Sequence, residues 1–263
     1  MARMSGKVVA RAALDEPQRR AMFGVFARYY EQVSRAQFDH DLDDKDFVIL
    51  LFDGDGAIQG FSTIKHLEVR GADGRMHRGL FSGDTVVAEA FWGQRVLGHL
   101  FLRHLFAQKL RHPFEPYWWM LISKGYKTYL LMANNFAEHY PRYERETPAR
   151  KQEVLDAFAA SLFARAYRKE SGLIDFERSL GQLKAGVAPI TADMLEHPRI
   201  RFFNERNSTW QRGTELACIA RMTWSMPFFY GAKAVWKQWA RLGQQLLGQP
   251  SEEAAASAKA GDQ

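Results

Sequence analysis

Asp84-Thr85-Val86-Val87-Ala88-Glu89-Ala90-Phe91-Trp92-Gly93-Gln94-Arg95-Val96-Leu97-Gly98-His99-Leu100 is the stretch on which the fold turns. Its first five residues are rich in β-branched side chains and predict the end of a strand. From Gly93 to about position 110, Val96, Leu97, Leu100, Phe101, Leu105 and Phe106 recur at helical spacing and predict a helix with one apolar face. Strand, tight glycine-containing loop and helix start make a corner whose backbone N–H groups lack partners and lie at the positive end of a helix dipole. Such a corner binds phosphate. Neither the dinucleotide glycine fingerprint nor the Gly-Lys-Ser/Thr ending of a P-loop is present, so NAD and nucleoside triphosphates lose their main support.

Upstream, 8–13 predicts a short strand and 16–37 a helix carrying Met22, Phe23, Phe26, Tyr29, Tyr30 and Val33 on one face. Positions 47–52 and 58–69 flank Asp53-Gly54-Asp55-Gly56 and predict a hairpin. Downstream, Pro113 and Pro116 close the helix, 117–123 predicts an aromatic strand, and 130–139 a helix stopped at Pro141. Positions 147–167 are helical in pattern, while 199–207 and 215–223 bracket a polar turn and predict a second hairpin. The order of elements predicts a mixed α/β sheet.

The chain has 263 residues, 46% hydrophobic and 25% charged, which suffices for a full core without disulfide or metal staples. Its one cysteine, Cys218, lies in an apolar run and reads as a small buried hydrophobe. With no Cys or Cys/His pairing, a reducing cytoplasm is the expected location. Apolar runs fall short of the ~20 residues that span a bilayer, and no continuous apolar segment precedes Asp15, so no secretory signal is expected. The 36 Lys and Arg against 30 Asp and Glu give a formal charge of +6 without a block of five consecutive cations, so no nucleic-acid partner is expected. His99 and His104 are five apart and do not share a helix face, so no metal is expected.

Together with the preceding hairpin, the 84–100 segment resembles motif A of the GNAT superfamily, the acyl-CoA-dependent N-acyltransferases, in which a splayed strand is followed by Arg/Gln-x-x-Gly-x-Gly/Ala. Aligned on Phe91-Trp92-Gly93-Gln94, Trp92, Arg95 and Leu97 stand where Arg/Gln, Gly and Gly/Ala are usual; shifted by three, Arg95 and Gly98 match and Leu100 does not. A second resemblance is Leu131-Met132-Ala133-Asn134-Asn135-Phe136-Ala137-Glu138-His139-Tyr140-Pro141: Asn134 and Ala137 fit the family's Asn-x-x-Ala, and Tyr140 comes one residue before the usual tyrosine, with Tyr143 in reserve.

The resemblance implies a GNAT-like, mostly antiparallel central sheet flanked by helices, and acetyl-CoA or a longer acyl-CoA as acyl donor. The pantetheine arm would pair with the backbone of Val86, Val87 and Ala88. The pyrophosphate would meet Gly93, Gln94, Arg95, Val96, Leu97 and Gly98, and Asn134 would join the cofactor site. Direct attack by a small-molecule or lipid-like amine would need a base, Glu89 or Asp84, and an acid, Tyr140. Two alternatives remain: a non-catalytic module binding an acyl thioester, a lipid or a protein, and an N-acyl amino acid synthase using an acyl carrier protein docked on Arg95 and Arg103. The expected organisation is an acyl-CoA-binding core at 1–143, a helical insertion at 144–198, a hairpin completing the sheet at 199–227, an amphipathic helix at 228–248 and a disordered tail at 249–263. The amphipathic helix offers peripheral contact with the inner face of a membrane.

Overall fold

Successive side chains of a strand point to opposite faces of its sheet, and Phe47-Val48-Ile49-Leu50-Leu51-Phe52 is apolar on both, which places it inside a sheet covered on two sides. A computed structural model describes residues 3–72, 74–176, 182–183 and 189–225. In chain order its main elements are β1 (Ser5–Ala10), α1 (Glu16–Tyr29), β2 (Tyr30–Glu31), α2 (Arg35–Asp43), β3 (Phe47–Phe52), β4 (Ile58–Arg70), β5 (Met76–Val87), α3 (Val96–Arg111), β6 (Tyr117–Ser123), α4 (Tyr126–Asn135), β7 (His139–Tyr140), α5 (Ala149–Phe163), β8 (Tyr167–Arg168), β9 (Leu173–Ile174), β10 (Gln182–Leu183), α6 (Pro198–Arg206) and β11 (Glu215–Met222).

The sheet runs β1-β3-β4-β5-β6-β11-β9-β8, with β7 also paired to β11. Neighbours are antiparallel except β5 and β6, whose parallel pairing requires the α3 crossover. This is the mixed, mostly antiparallel sheet flanked by helices that the sequence predicts.

Two clusters cover one face. Met22, Val25 and Phe26 of α1 pack with Phe38, Leu50 and Phe61, and Val154, Leu155 and Phe158 of α5 pack with Leu67, Phe81, Trp118 and Ile219. Truncating a fully buried ring such as Phe61 or Phe158 to alanine costs about 3–5 kcal/mol. The neighbouring Trp119 points the other way, onto Phe101 of α3 at 4.8 Å. At Gly6 a Cβ would come within 2.8 Å of the Leu50 carbonyl oxygen of β3 and 2.7 Å of Leu100 Cδ1 of α3, so the backbone leaves no room for a side chain there.

Several elements differ from expectation, beginning with the strand predicted at 8–13, which lies at Ser5–Ala10 and gives way to a short helical turn at Arg11–Ala13. The helix predicted over 16–37 breaks at Tyr30: Gln32 adopts φ 58°, and Ser34 caps α2 by accepting from the Gln37 amide at 3.1 Å. The helix predicted at 130–139 begins four residues earlier and ends at Asn135, because proline holds Tyr140 extended and pairs it with Ile219 of β11. In place of the hairpin strand predicted at 199–207 the chain forms helix α6: Pro198 opens it, His197 Nδ1 accepts from the Arg199 amide at 3.2 Å, and the Phe202 and Phe203 rings pack tilted against Tyr129. Strand β11 thus finds its partner in β6, and the 144–198 segment holds α5 together with the short β8 and β9.

No helix among the described residues is long and apolar enough to cross a membrane. The chain divides into two units, Met1–Met222 and Thr223–Gln263. In the second, Thr223 and Ser225 share a hydroxyl hydrogen bond at 2.9 Å. The stretches 228–248 and 249–263 lie outside the described residues.

Candidate functional site: a fork between parallel strands

Strands β5 and β6 stay paired only from Arg78/Tyr117 to Ser82/Leu121. Beyond that point β5 follows β4, pairing Thr85, Val86 and Val87 with Ser62, Phe61 and Gly60. Strand β6 follows β11 instead, pairing Ile122 and Ser123 with Ala217 and Leu216. The parallel pair opens as a fork. The cause is local: Gly83 and Asp84 together oppose the single residue Thr63, a bulge that bends β5 away from β6. It also shifts the alternation, so that Phe81 and Val86 both join the clusters on the α1 and α5 face. A Cβ at Gly83 would come within 2.6 Å of Thr63 Oγ1, so any larger residue at the bulge must displace the Thr63 side chain.

One arm of the fork leads into the phosphate-suited corner. After Val87, a short turn at Glu89–Phe91 and Gly93 at φ 84° carry the chain to α3. No side chain caps that helix, so the amides of Val96, Leu97 and Gly98 have neither an intrahelical carbonyl nor a capping oxygen. A Cβ added at Gly93 or Gly98 would meet nothing within 4 Å, so both glycines border open space at this corner. Gln94 is tied down from within: its Oε1 accepts from the Met4 amide at 3.0 Å. Trp92 donates its indole N–H to Val87 O at 2.8 Å, and Lys127 Nζ lies 5.6 Å from the centre of the Trp92 ring.

The base of the fork is polar. Asp84 is half-buried, and among the described residues its carboxylate has no hydrogen-bond or ion-pair partner. Burial pushes this carboxyl above the ordinary range; Lys45 pulls it back, Asp41 pushes it further, and Lys124 again opposes. Across the fork, Lys124 Nζ meets Glu215 Oε1 at 3.4 Å and lies 5.8 Å from the centre of the Tyr30 ring. Glu215, at the start of β11, is also raised by burial, opposed by Lys124 and reinforced by Asp84. Tyr30, stacked on Phe26 at 4.4 Å, is raised by burial and then by Asp84 and Glu215. Residues from α1–β2, β5, the end of β6 and β11 thus share one field. Lys45, on the turn into β3, lies against Gly83 with its Nζ donating to Asp41 O at 2.7 Å.

Of the residues singled out from sequence, Asp84, Val86, Val87 and Ala88 lie along the end of β5, with the Val86 side chain buried in the α1 cluster, and Gly93, Arg95, Val96, Leu97 and Gly98 lie in the turn and first turn of α3 that follow. Glu89 is exposed beside that corner, its amide donating to the Tyr29 hydroxyl at 2.7 Å. Tyr140 lies elsewhere: it is 2% exposed in the cluster beneath α5, and its hydroxyl accepts from Arg145 at 3.0 Å. Asn134 sits in the last turn of α4, its Oδ1 accepting from Arg199 at 2.5 Å. Tyr143 is exposed. Sequence reading misses Tyr30, Lys45, Lys124 and Glu215, whose only signal is being polar next to an apolar strand or helix. Among the described residues, no three His, Cys, Asp or Glu side chains gather as a metal site requires.

The sequence matches no protein-family model and no curated protein. Solved structures similar to it include a conserved Enterococcus faecalis V583 protein of unknown function (11% identity, TM-score 0.37, 49% of this chain and 32% of that one). Two others are the GNAT family N-acetyltransferase YhbS of Escherichia coli in complex with CoA (15%, 0.36, 51% and 69%) and a GCN5-related N-acetyltransferase from Kribbella flavida (18%, 0.35, 52% and 34%). The aligned part thus spans about a third of the Enterococcus and Kribbella chains.

Proposed function

We propose that the chain is an acyl-CoA-dependent N-acyltransferase that moves an acetyl or longer acyl group to an amine by direct attack. The observation that carries this reading is the fork itself: an unpartnered, half-buried carboxylate at its base and an uncapped helix N-terminus at its rim. Bound in the fork, acyl-CoA would supply an activated acyl group as a thioester. Of the β5 residues Val86, Val87 and Ala88 expected to hold an amide-bearing arm, only Val87 turns its backbone from β4 toward the fork, since the Ala88 amide donates to Gln59 O at 2.7 Å and its carbonyl accepts from the Phe91 amide at 2.9 Å; the 96–98 amides offer donors to phosphate. The Val87 carbonyl is held by Trp92, so an arm pairing there displaces the indole.

Asp84 takes the proton that an attacking amine must lose. A carboxyl raised by burial is a better base near neutral pH than an exposed one. Glu89 is the reserve base, reaching the amine through water. Tyr140 as proton donor to the thiolate would need the α5 cluster to open, since Arg145 and apolar side chains enclose it.

The test combines thermal unfolding with acetyl-CoA, long-chain acyl-CoA and an acyl carrier protein thioester, followed by thiol release with a panel of amines. Asp84→Asn should leave the thermal shift intact and lower kcat/KM by about 10²–10⁴. Glu89→Gln and Tyr140→Phe should each change turnover by less than threefold. Absence of a shift with either CoA thioester would overturn the reading, and activity confined to the carrier thioester would move the donor site to the exposed Arg95 and Arg103.

A further inference from the structure

At the end of the sheet opposite the fork, the α3–β6 turn presents Phe114 at 99% exposure, with Leu110 at 64% and Met76 at 40% on the same end. A fully exposed ring contributes nothing to folding, yet the turn that carries it is built firmly. Pro113 and Pro116 bracket it, and Lys109, itself buried, donates its ammonium to the backbone carbonyls of His112 at 3.3 Å, Pro113 at 2.9 Å and Glu115. Burying an ammonium is costly unless acceptors surround it. Here three carbonyls do so, and their effect is to fix the backbone on either side of Phe114.

The surroundings are cationic. Two acids at this end, Glu68 and Glu115, pair with the same Arg78, and a third, Glu138, pairs with Arg221. Arg70 and Arg75 flank the β4–β5 hairpin and Arg111 flanks the turn, all three exposed. Leaving out the buried Lys109 and counting Asp73 from the sequence, Arg70, Arg75, Arg78, Arg111 and Arg221 still outnumber Glu68, Asp73, Glu115 and Glu138. An aromatic and aliphatic tip ringed by arginines matches an anionic bilayer surface, where rings settle at the headgroup level and cations meet lipid phosphates. We propose that this end of the molecule docks on an anionic lipid surface, with Phe114 entering the interface and the fork facing away from it.

The test is cosedimentation of the full chain with vesicles of phosphatidylcholine alone and of phosphatidylcholine with one quarter phosphatidylglycerol, at low and high salt. Binding is expected to the anionic vesicles only, weakening with salt. Phe114→Ala should weaken it about tenfold or more and Phe114→Glu should abolish it. Neither variant should lower the thermal midpoint, because the ring touches nothing in the fold. The proposal is overturned by no binding to anionic vesicles, or by undiminished binding of Phe114→Glu, which would assign the contact to another part of the chain. It is also overturned if sedimentation velocity shows self-association that Phe114→Glu removes, for then a second copy covers the tip.

Discussion

Gly98→Leu separates binding from folding. The added side chain points into open space and replaces a poor helix former, so the thermal midpoint without ligand should hold or rise. The same side chain crowds the corner where the proposed function seats the pyrophosphate, so acetyl-CoA affinity measured by calorimetry should fall at least about tenfold. Lys124→Met acts through charge. It removes the cation that opposes the upward shift of Glu215 and, after Lys45, that of Asp84, so both carboxyls rise further. A base must be ionised to accept a proton, and the acid limb of the kcat/KM profile should therefore move to higher pH, with Lys124→Arg restoring it. At this scale the sequence is informative where residues adjoin: Asp84 and Gly93 belong to one short segment. Tyr30, Lys124 and Glu215 reach the fork from three distant places, and no spacing relates them to Asp84.

Helix α3 serves two neighbours at once. Its N-terminus faces the fork, while midway along it His104 Nε2 meets His66 Nε2 of β4 at 3.1 Å, with the Phe47 ring within 5.2 Å of both. Burial first, then His66 and Arg111, pushes His104 down to about 4. His66 is also lowered, chiefly by burial. A histidine that resists protonation when folded but titrates near 6.5 when unfolded lets protons favour the unfolded chain. Stability from this pair should be complete above about pH 6.5 and decline as pH falls toward 4. Melting from pH 7 to 4.5 should show a larger drop in midpoint for the native chain than for His104→Gln, by a few degrees. Helix α3 is legible because its apolar face has a strict period. Helix α6 is not: Arg199-Ile200-Arg201-Phe202-Phe203 suits a strand equally well, and only Pro198 and the Tyr129 ring decide for the helix.

Across the whole molecule, the hairpin and the β5–α3–β6 crossover follow from local patterns. The pairing of β11 with β6 joins residues about a hundred positions apart and could not be read from periodicity. Cys218 lies fully buried in that strand, with its thiol pushed up by burial. Its alkylation should therefore report opening of the sheet centre. Acetyl-CoA at a hundredfold excess over its dissociation constant should slow that reaction about a hundredfold, equivalent to about 2.7 kcal/mol. The position of β11 also matters during synthesis. Until residues 215–222 leave the ribosome, the Tyr-Trp-Trp-Met-Leu-Ile-Ser strand has a bare edge on one side and the fork lacks Glu215. A nascent chain stalled just before β11 therefore carries an almost finished sheet with its stickiest strand exposed to other nascent chains.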